Sequence, residues 1–206
     1  MFFVVSIELK TACDFHGHLC PDLVIGYRAC KLAEKILGDE RMKHEGLVVV
    51  AYNSTSAIDA IQTLTGCTVG NRALQIIDWG KHKYVFIFET TGEGIEISLR
   101  DQDFLSSEEY NALEEKMNRN PSTIQDVALY QKMIDARVNR LLSATDEEIF
   151  RYRMVKLQPV RREVITGFLR CERCGDMVLR SNTTKVSGKT FCYECFHKEA
   201  GMMENN

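Results

Sequence analysis

No stretch of this 206-residue sequence stays apolar for long enough to cross a bilayer. The longest runs, Leu47–Tyr52 and Tyr84–Phe88, fall far short of the roughly 20 residues that a spanning helix needs. A secretory leader is not read either: Met1–Val5 has no basic flank and is followed by Glu8 and Lys10. There is no internal repeat, low-complexity tract or phosphate-binding glycine loop. Four-cysteine iron–sulfur runs and recognisable dehydrogenase cofactor motifs are also lacking, so the chain is not expected to perform such redox chemistry unaided. These absences exclude an integral membrane protein and disfavour secretion. The expected location is a reducing cytoplasm.

What is present is a globular mix, 45% hydrophobic and 27% charged. The formal net charge of −3 is unevenly spread. Residues 1–150 carry 15 Lys and Arg against 23 Asp and Glu, a balance of −8; residues 151–206 carry 11 against 6, a balance of +5. The change falls near Leu157-Gln158-Pro159-Val160-Arg161-Arg162. Two domains are expected, an acidic body over residues 1–158 and a small basic domain over residues 159–206. A polyanion partner for the whole chain is disfavoured, whereas a local basic patch on the tail is compatible with the charges.

The eight cysteines divide the same way: Cys13, Cys20, Cys30 and Cys67 are scattered through the body, and the rest cluster in the tail. Cys171-Glu-Arg-Cys174-Gly175 and Cys192-Tyr-Glu-Cys195 are two C-x2-C knuckles, spaced as in a four-cysteine zinc site. The x2 spacing lets two thiolates from one tight turn reach a single ion, and Gly175 permits the turn that follows. Val178–Arg180 and Lys189–Phe191 are expected to pair through Ser187-Gly188, with a helix from Tyr193 to Ala200. Knuckle, hairpin, knuckle and helix together resemble a treble-clef zinc finger. So short a domain has too little core to fold alone, and Zn²⁺ would supply the missing stability. Four thiolates around Zn²⁺ contribute about −2, so the tail keeps a modest positive charge. Arg161, Arg162, Arg170, Arg173, Arg180 and Lys185 are read as a solvated basic face in preference to a nucleic-acid surface.

The body alternates helices and strands. Ile25, Ala29, Leu32, Ala33 and Ile36 share one face of a helix over 21–37 that Gly38 ends. A short strand is expected at Gly46–Ala51, a helix at Ala57–Thr65 capped by Gly66, and a hairpin from Lys83–Thr90 and Gly94–Arg100. The remainder reads as helical, with capping boxes at Ser106/Glu109, Ser122/Gln125 and Thr145/Glu148. Ile124, Val127, Ile134, Val138 and Leu141 form an apolar stripe, taken as a packing surface or dimer seam.

His16, His18 and Cys20 alternate ahead of Pro21, so in an extended segment their side chains point to one side. Imidazole and thiolate together suit borderline-soft ions such as Zn²⁺ or Fe²⁺. Pro21 fits the first position of a helix and puts Cys20 at the N-cap, where the dipole and open amides favour a thiolate. The bland alternative makes these a core histidine, an exposed histidine and an inert buried cysteine. A second segment, Asn53–Gln62 running into Thr65-Gly66-Cys67, places Ser56 at a helix start and Cys67 just past its end. Asp59 lies one turn into that helix, as a dipole-stabilising residue or a site carboxylate.

His16-Gly17-His18-Leu19-Cys20-Pro21, Asp59-Ala60-Ile61-Gln62, Thr65-Gly66-Cys67-Thr68 and Asp78-Trp79-Gly80-Lys81, in that order, resemble the FmdE family. That family is named for the FmdE component of molybdenum or tungsten formylmethanofuran dehydrogenase. The resemblance covers roughly residues 10–150 and implies an α+β FmdE-like core domain, a C-terminal zinc finger and a homodimer. It also implies a cleft where the His-Gly-His-x-Cys segment meets the Thr-Gly-Cys segment. Two positions depart from the family pattern: Asp22 stands where glycine is usual, and Ser56 where cysteine is usual. The expectation is a metal-binding accessory or redox/metal-handling protein, with dehydrogenase subunits as candidate partners. Its structural Zn²⁺ would sit on Cys171, Cys174, Cys192 and Cys195, and a second transition metal on a subset of His16, His18, Cys20 and Cys67. Cys20, His18 and Asp59 are the candidate catalytic groups. A stand-alone metal- or thiol-dependent enzyme and a zinc-finger regulator that binds nucleic acid are the alternatives.

Overall fold

The computed structural model describes residues 6–44, 46–100, 104, 107–119, 123–158 and 167–199. The chain divides into two compact units, Met1–Arg162 and Glu163–Asn206. No helix among the described residues is long and apolar enough to cross a membrane.

The first unit is α+β. Its helices are α1 (Ile7–His16), α2 (Pro21–Leu37), α3 (Asp39–His44), α4 (Ala57–Thr65), α5 (Glu108–Arg119), α6 (Ile124–Ser143) and α7 (Asp146–Ile149). Its strands are β1 (Leu47–Ala51), β2 (Leu74–Ile76), β3 (Lys83–Phe88), β4 (Glu93–Leu99) and β5 (Phe150–Lys156), in sheet order β2-β1-β3-β4-β5. Among the described strands of this sheet, only the β1–β2 pair is parallel. The register sets Val49 opposite Phe86 and Phe86 opposite Ile95. These three therefore share one face of the sheet, and they join the main core with Ile25, Leu32, Ile61 and Leu141 from the helices.

Pro21 opens α2 at its first position and the amide of Gly38 closes it on Glu34. Ten buried residues of α2 anchor the unit. Each fully buried Leu or Ile contributes roughly 1.5–3 kcal/mol. Gly26 sets how closely α2 approaches α4, because a Cβ there would lie 2.3 Å from the backbone oxygen of Ala57. Arg28 binds the far end of the body: its guanidinium donates to the carbonyls of Leu141 and Ala144 and pairs with Asp146 at 3.0 Å.

Several expectations are corrected here. The segment around His16 is not extended; α1 runs up to His16, and left-handed Gly17 ends it. The body also holds two strands that the helical reading passed over, β2 and β5. In β5 apolar and charged residues alternate, and Arg153 of β5 lies opposite Glu96 with a 2.9 Å ion pair. Ser106 and Ser122 lie outside the described residues; Ser107 accepts from the Tyr110 amide, and Thr123 with Asp126 forms the box that opens α6. The Thr145/Glu148 box is present. The α6 stripe splits, with Val138 and Leu141 buried, Ile134 packed on the core, and Ile124 and Val127 exposed.

The second unit holds two hairpins and a helix: β6 (Phe168–Arg170) with β7 (Met177–Leu179), β8 (Thr183–Val186) with β9 (Lys189–Cys192), and α8 (Tyr193–Glu199). Val178 therefore pairs with Leu169, and the strand facing β9 is β8. The Cys171–Gly175 knuckle is itself a hairpin turn, so β7 is already committed to β6. Ser187 and Gly188 both have positive φ, which suits the twist of the tight β8–β9 turn.

Candidate metal centres

Three local signals bring His16, His18 and Cys20 together. His16 is the last residue of α1, Gly17 reverses the chain at φ 97°, and Cys20 is the extended N-cap of α2. One ligand atom from each lies within 4.8 Å of the others. His16 Nε2 is 3.8 Å from Cys20 Sγ, and the two imidazole centroids are 4.6 Å apart. Nitrogen and sulfur on one tetrahedral ion would sit about 3.6 Å apart. The set converges as the spacing suggested, through a helix end and a cap instead of an extended run.

Asp59 does not join the donors. Its Oδ2 lies 2.7 Å from His16 Nδ1, and its Oδ1 accepts from Gln62. A carboxylate on Nδ1 fixes the ring so that Nε2 is left to ligate, and it raises the basicity of that nitrogen. Asp59 thus sits behind His16, on the ring nitrogen turned away from Cys20.

Cys67 is a correction. It is buried in the main core and its thiol donates to the Leu47 carbonyl at 3.3 Å. It follows the C-terminus of α4, whereas Ser56 and Asp59 lie at the N-terminal end; nine residues at 1.5 Å each separate the two ends by about 13 Å. The cleft implied between the His-Gly-His-x-Cys and Thr-Gly-Cys segments is instead at the start of α4. Ser56 makes no side-chain cap bond; the Thr55 hydroxyl takes the Ala57 amide at 3.4 Å.

Two clefts flank the donors and share Ser56. One of about 330 Å³ is lined by His16, Asp59, Thr55 and Ile76. The other, about 430 Å³, is lined by His18, Cys20, Asp22, His82, Tyr110 and Tyr130, among others. There the Tyr110 and Tyr130 hydroxyls meet at 2.7 Å, and both reach Glu114. The hydrogen bond to Tyr110, together with burial, pushes the Tyr130 phenol up. Arg137 stacks on the Tyr110 ring at 3.8 Å. The sequence reading missed His82, Tyr110, Glu114, Tyr130 and Arg137. His82 directly follows the Asp78–Lys81 motif; the others meet only through the pairing of α5 with α6 and carry no local signal.

In the second unit all four tail sulfurs lie within 4.8 Å of one another, with Cys174 and Cys192 at 4.0 Å. Four sulfurs on Zn²⁺ would be spaced about 3.8 Å. Backbone amides of Cys174 and Cys192 hold the Cys171 thiol down to about 6, while burial and neighbouring sulfurs push Cys195 up to about 12. Four thiols this close can all ionise only around a shared cation, which is the chemistry a divalent metal would supply. Arg170 donates to the Gly175 carbonyl and Arg173 to that of Cys195, so these two brace the knuckles. Arg161 and Arg162 lie outside the described residues.

A model of the FmdE family, described as "Molybdenum formylmethanofuran dehydrogenase operon", matches residues 15–151. The chain belongs to the FmdE family. A curated relative of this FmdE chain, a "Probable S-adenosyl-L-methionine-binding protein" of Archaeoglobus fulgidus, is 26% identical over 178 residues. The match takes in 83% of this chain and 48% of the relative, so the chain spans about half the length of the curated relative it matches. Among solved structures, an FmdE-like protein of Syntrophus aciditrophicus, named for tungsten formylmethanofuran dehydrogenase, is similar at a TM-score of 0.60 and 21% identity. That likeness covers 92% of this chain and 90% of the other, and it is one of fold.

Proposed function

We propose that the chain is a metal-handling accessory protein of the FmdE kind, working in a reducing cytoplasm. In this reading Cys171, Cys174, Cys192 and Cys195 hold a structural Zn²⁺ in a treble-clef-like finger. His16, His18 and Cys20 hold a second transition metal in the body. The observation that carries it is the convergence of three borderline-soft donors within 4.8 Å, with Asp59 seated on the nitrogen of His16 that does not ligate. Three protein donors leave a four-coordinate ion one open position, and a bound ion would act there as a Lewis acid. The family's operon description supports an accessory role beside dehydrogenase subunits.

Metal analysis of the full chain tests the reading. We expect about two transition-metal ions per chain. H16A/C20S should remove one and leave the finger loaded; C171S/C174S should remove the other. Wild-type stoichiometry in H16A/C20S would overturn the body site.

The polar cleft favours a second reading, a small-molecule enzyme or binding protein that uses Cys20, His18 and Asp59. Asp22 and Glu114 line that cleft and suit a cationic ligand; S-adenosyl-L-methionine, the ligand in the Archaeoglobus relative's name, carries a sulfonium. Calorimetric titration with it separates this reading from the first. A homodimer through the exposed Ile124 and Val127 of α6 belongs to the proposal too. Nucleic-acid binding by the tail is the weaker alternative, since Arg170 and Arg173 brace knuckle carbonyls.

A further inference from the structure

A chain of buried polar groups ends at His82 in the cleft and bears on which of its nitrogens carries hydrogen. Asn53 is 1% exposed, and its amide nitrogen donates to the Lys81 carbonyl at 3.1 Å. A carbonyl only accepts, so that end of the amide is the nitrogen. The same nitrogen donates to the Tyr84 hydroxyl at 3.2 Å, and the Thr55 hydroxyl approaches it as well. Tyr84 is fully buried, and burial pushes its phenol up, so it keeps its own hydrogen. That hydrogen is assigned to His82 Nδ1, 3.0 Å away, as its acceptor. Burial pushes the His82 imidazole down, against the raising effect of Asp22, which keeps the ring neutral. A neutral ring whose Nδ1 accepts carries its hydrogen on Nε2.

His82 Nε2 faces Asp22 Oδ1 at 3.8 Å, too far for a direct hydrogen bond. An oxygen seated off the line between them can accept from one and donate to the other. Only a group with both capacities satisfies the pair: water has them, and so does an alcohol hydroxyl that displaces it, whereas an ether or a carboxylate does not. Ser56, Asn111, Tyr110 and Tyr130 line the same cleft and add further polar groups.

We propose that His82, held as the Nε2–H tautomer by Tyr84 and Asn53, acts with Asp22 to bind a hydroxyl group of a small alcohol or polyol in the cleft beside Cys20 and His18. His82 is a binding residue and Asp22 its complement. The metal-site reading tells what else the cleft holds; the pair itself needs no metal.

Imidazole nitrogen–hydrogen correlation spectra of the full-length ¹⁵N-labelled protein read the tautomer directly. His82 is expected as Nε2–H in the wild type and as a tautomer mixture in Y84F. Ethylene glycol should shift the His82 Nε2 resonance saturably, and 1,2-dimethoxyethane, which cannot donate, should not. D22G should weaken glycol binding at least fivefold. An Nδ1–H tautomer in the wild type, no saturable glycol shift, an equal response to the ether, or unchanged glycol affinity in D22G would each overturn the proposal. If Y84F does not fold, the wild-type and D22G measurements still decide it. Metal content of H16A/C20S is a separate readout, so failure of the metal site and failure of this pair are told apart.

Discussion

Replacing Asp59 with asparagine tests whether the body site is built as a metal site, because the change leaves all three donors in place. The carboxylate contacts His16 Nδ1 at 2.7 Å, with the His16 side chain only 16% exposed. If Nε2 ligates, Asp59 makes that nitrogen a better donor and holds the ring in its plane; the neutral amide does both less well. Loss of such an outer carboxylate typically weakens metal binding by about 10–100-fold, or roughly 1.4–2.8 kcal/mol. Asp59 also lies in the first turn of α4, where a negative charge stabilises the helix by about 0.3–1 kcal/mol. The two effects separate in the assay. Competition with a chromogenic chelator measures affinity in folded protein, and thermal unfolding of the chelated protein measures the helix contribution. The tail site is the internal reference and should not change. A D59N affinity within about twofold of wild type would refute the argument that His16 is a ligand oriented from behind.

In C174S the zinc content should fall by one per chain and the amide signals of residues 167–199 should collapse while the body spectrum persists; unchanged zinc would refute the four-cysteine site. G26A should destabilise the body by about 1–3 kcal/mol in denaturant unfolding, because its Cβ meets backbone at Ala57 and not a yielding side chain. Burial alone would raise the Asp146 carboxyl, but hydrogen bonds from Arg28 and Lys35 hold it below the usual carboxylate range. The stabilisation is therefore complete above about pH 4 and is lost as pH falls through the folded value, so D146N should differ from wild type at neutral pH and converge with it in acid. Sedimentation should give twice the 23.6 kDa chain mass at micromolar concentration, and I124K should shift it toward monomer.

How much of this was legible in sequence depended on whether a feature is local. Pro21 and Gly38 bounded α2 and Gly66 ended α4, because caps and left-handed turns are written within a few residues. The convergence of His16, His18 and Cys20 was read from an incorrect backbone: alternation suggested extension, yet Gly17 brings them together by ending a helix. Strand β5 carried a period-two pattern that the preceding helices masked. Cys67 was misplaced because its position after α4 does not say which end of that helix faces the site. Tyr110 and Tyr130 lie twenty positions apart on two helices, and only the packing of α5 on α6 joins them.

The two departures from the family pattern gain a physical meaning from where they lie. Ser56 and Asp22 both line the 430 Å³ cleft, beside His18 and Cys20. Neither is a core position: Asp22 keeps a third of its side-chain surface, and Ser56 makes no cap bond that holds α4. Neither exchange therefore touches the core, while both alter the lining of the cleft. A thiol at position 56 would add a soft donor near His18 and Cys20; a hydroxyl there offers only hydrogen bonds. Glycine at position 22 would leave the Nε2–H of His82 without an acidic neighbour, and aspartate supplies one at 3.8 Å. Both changes move the cleft away from thiolate chemistry and toward hydrogen-bonding recognition. If so, restoring cysteine at position 56 should raise metal affinity without affecting glycol binding, and restoring glycine at position 22 should do the reverse, weakening glycol binding at least fivefold while metal content is unchanged.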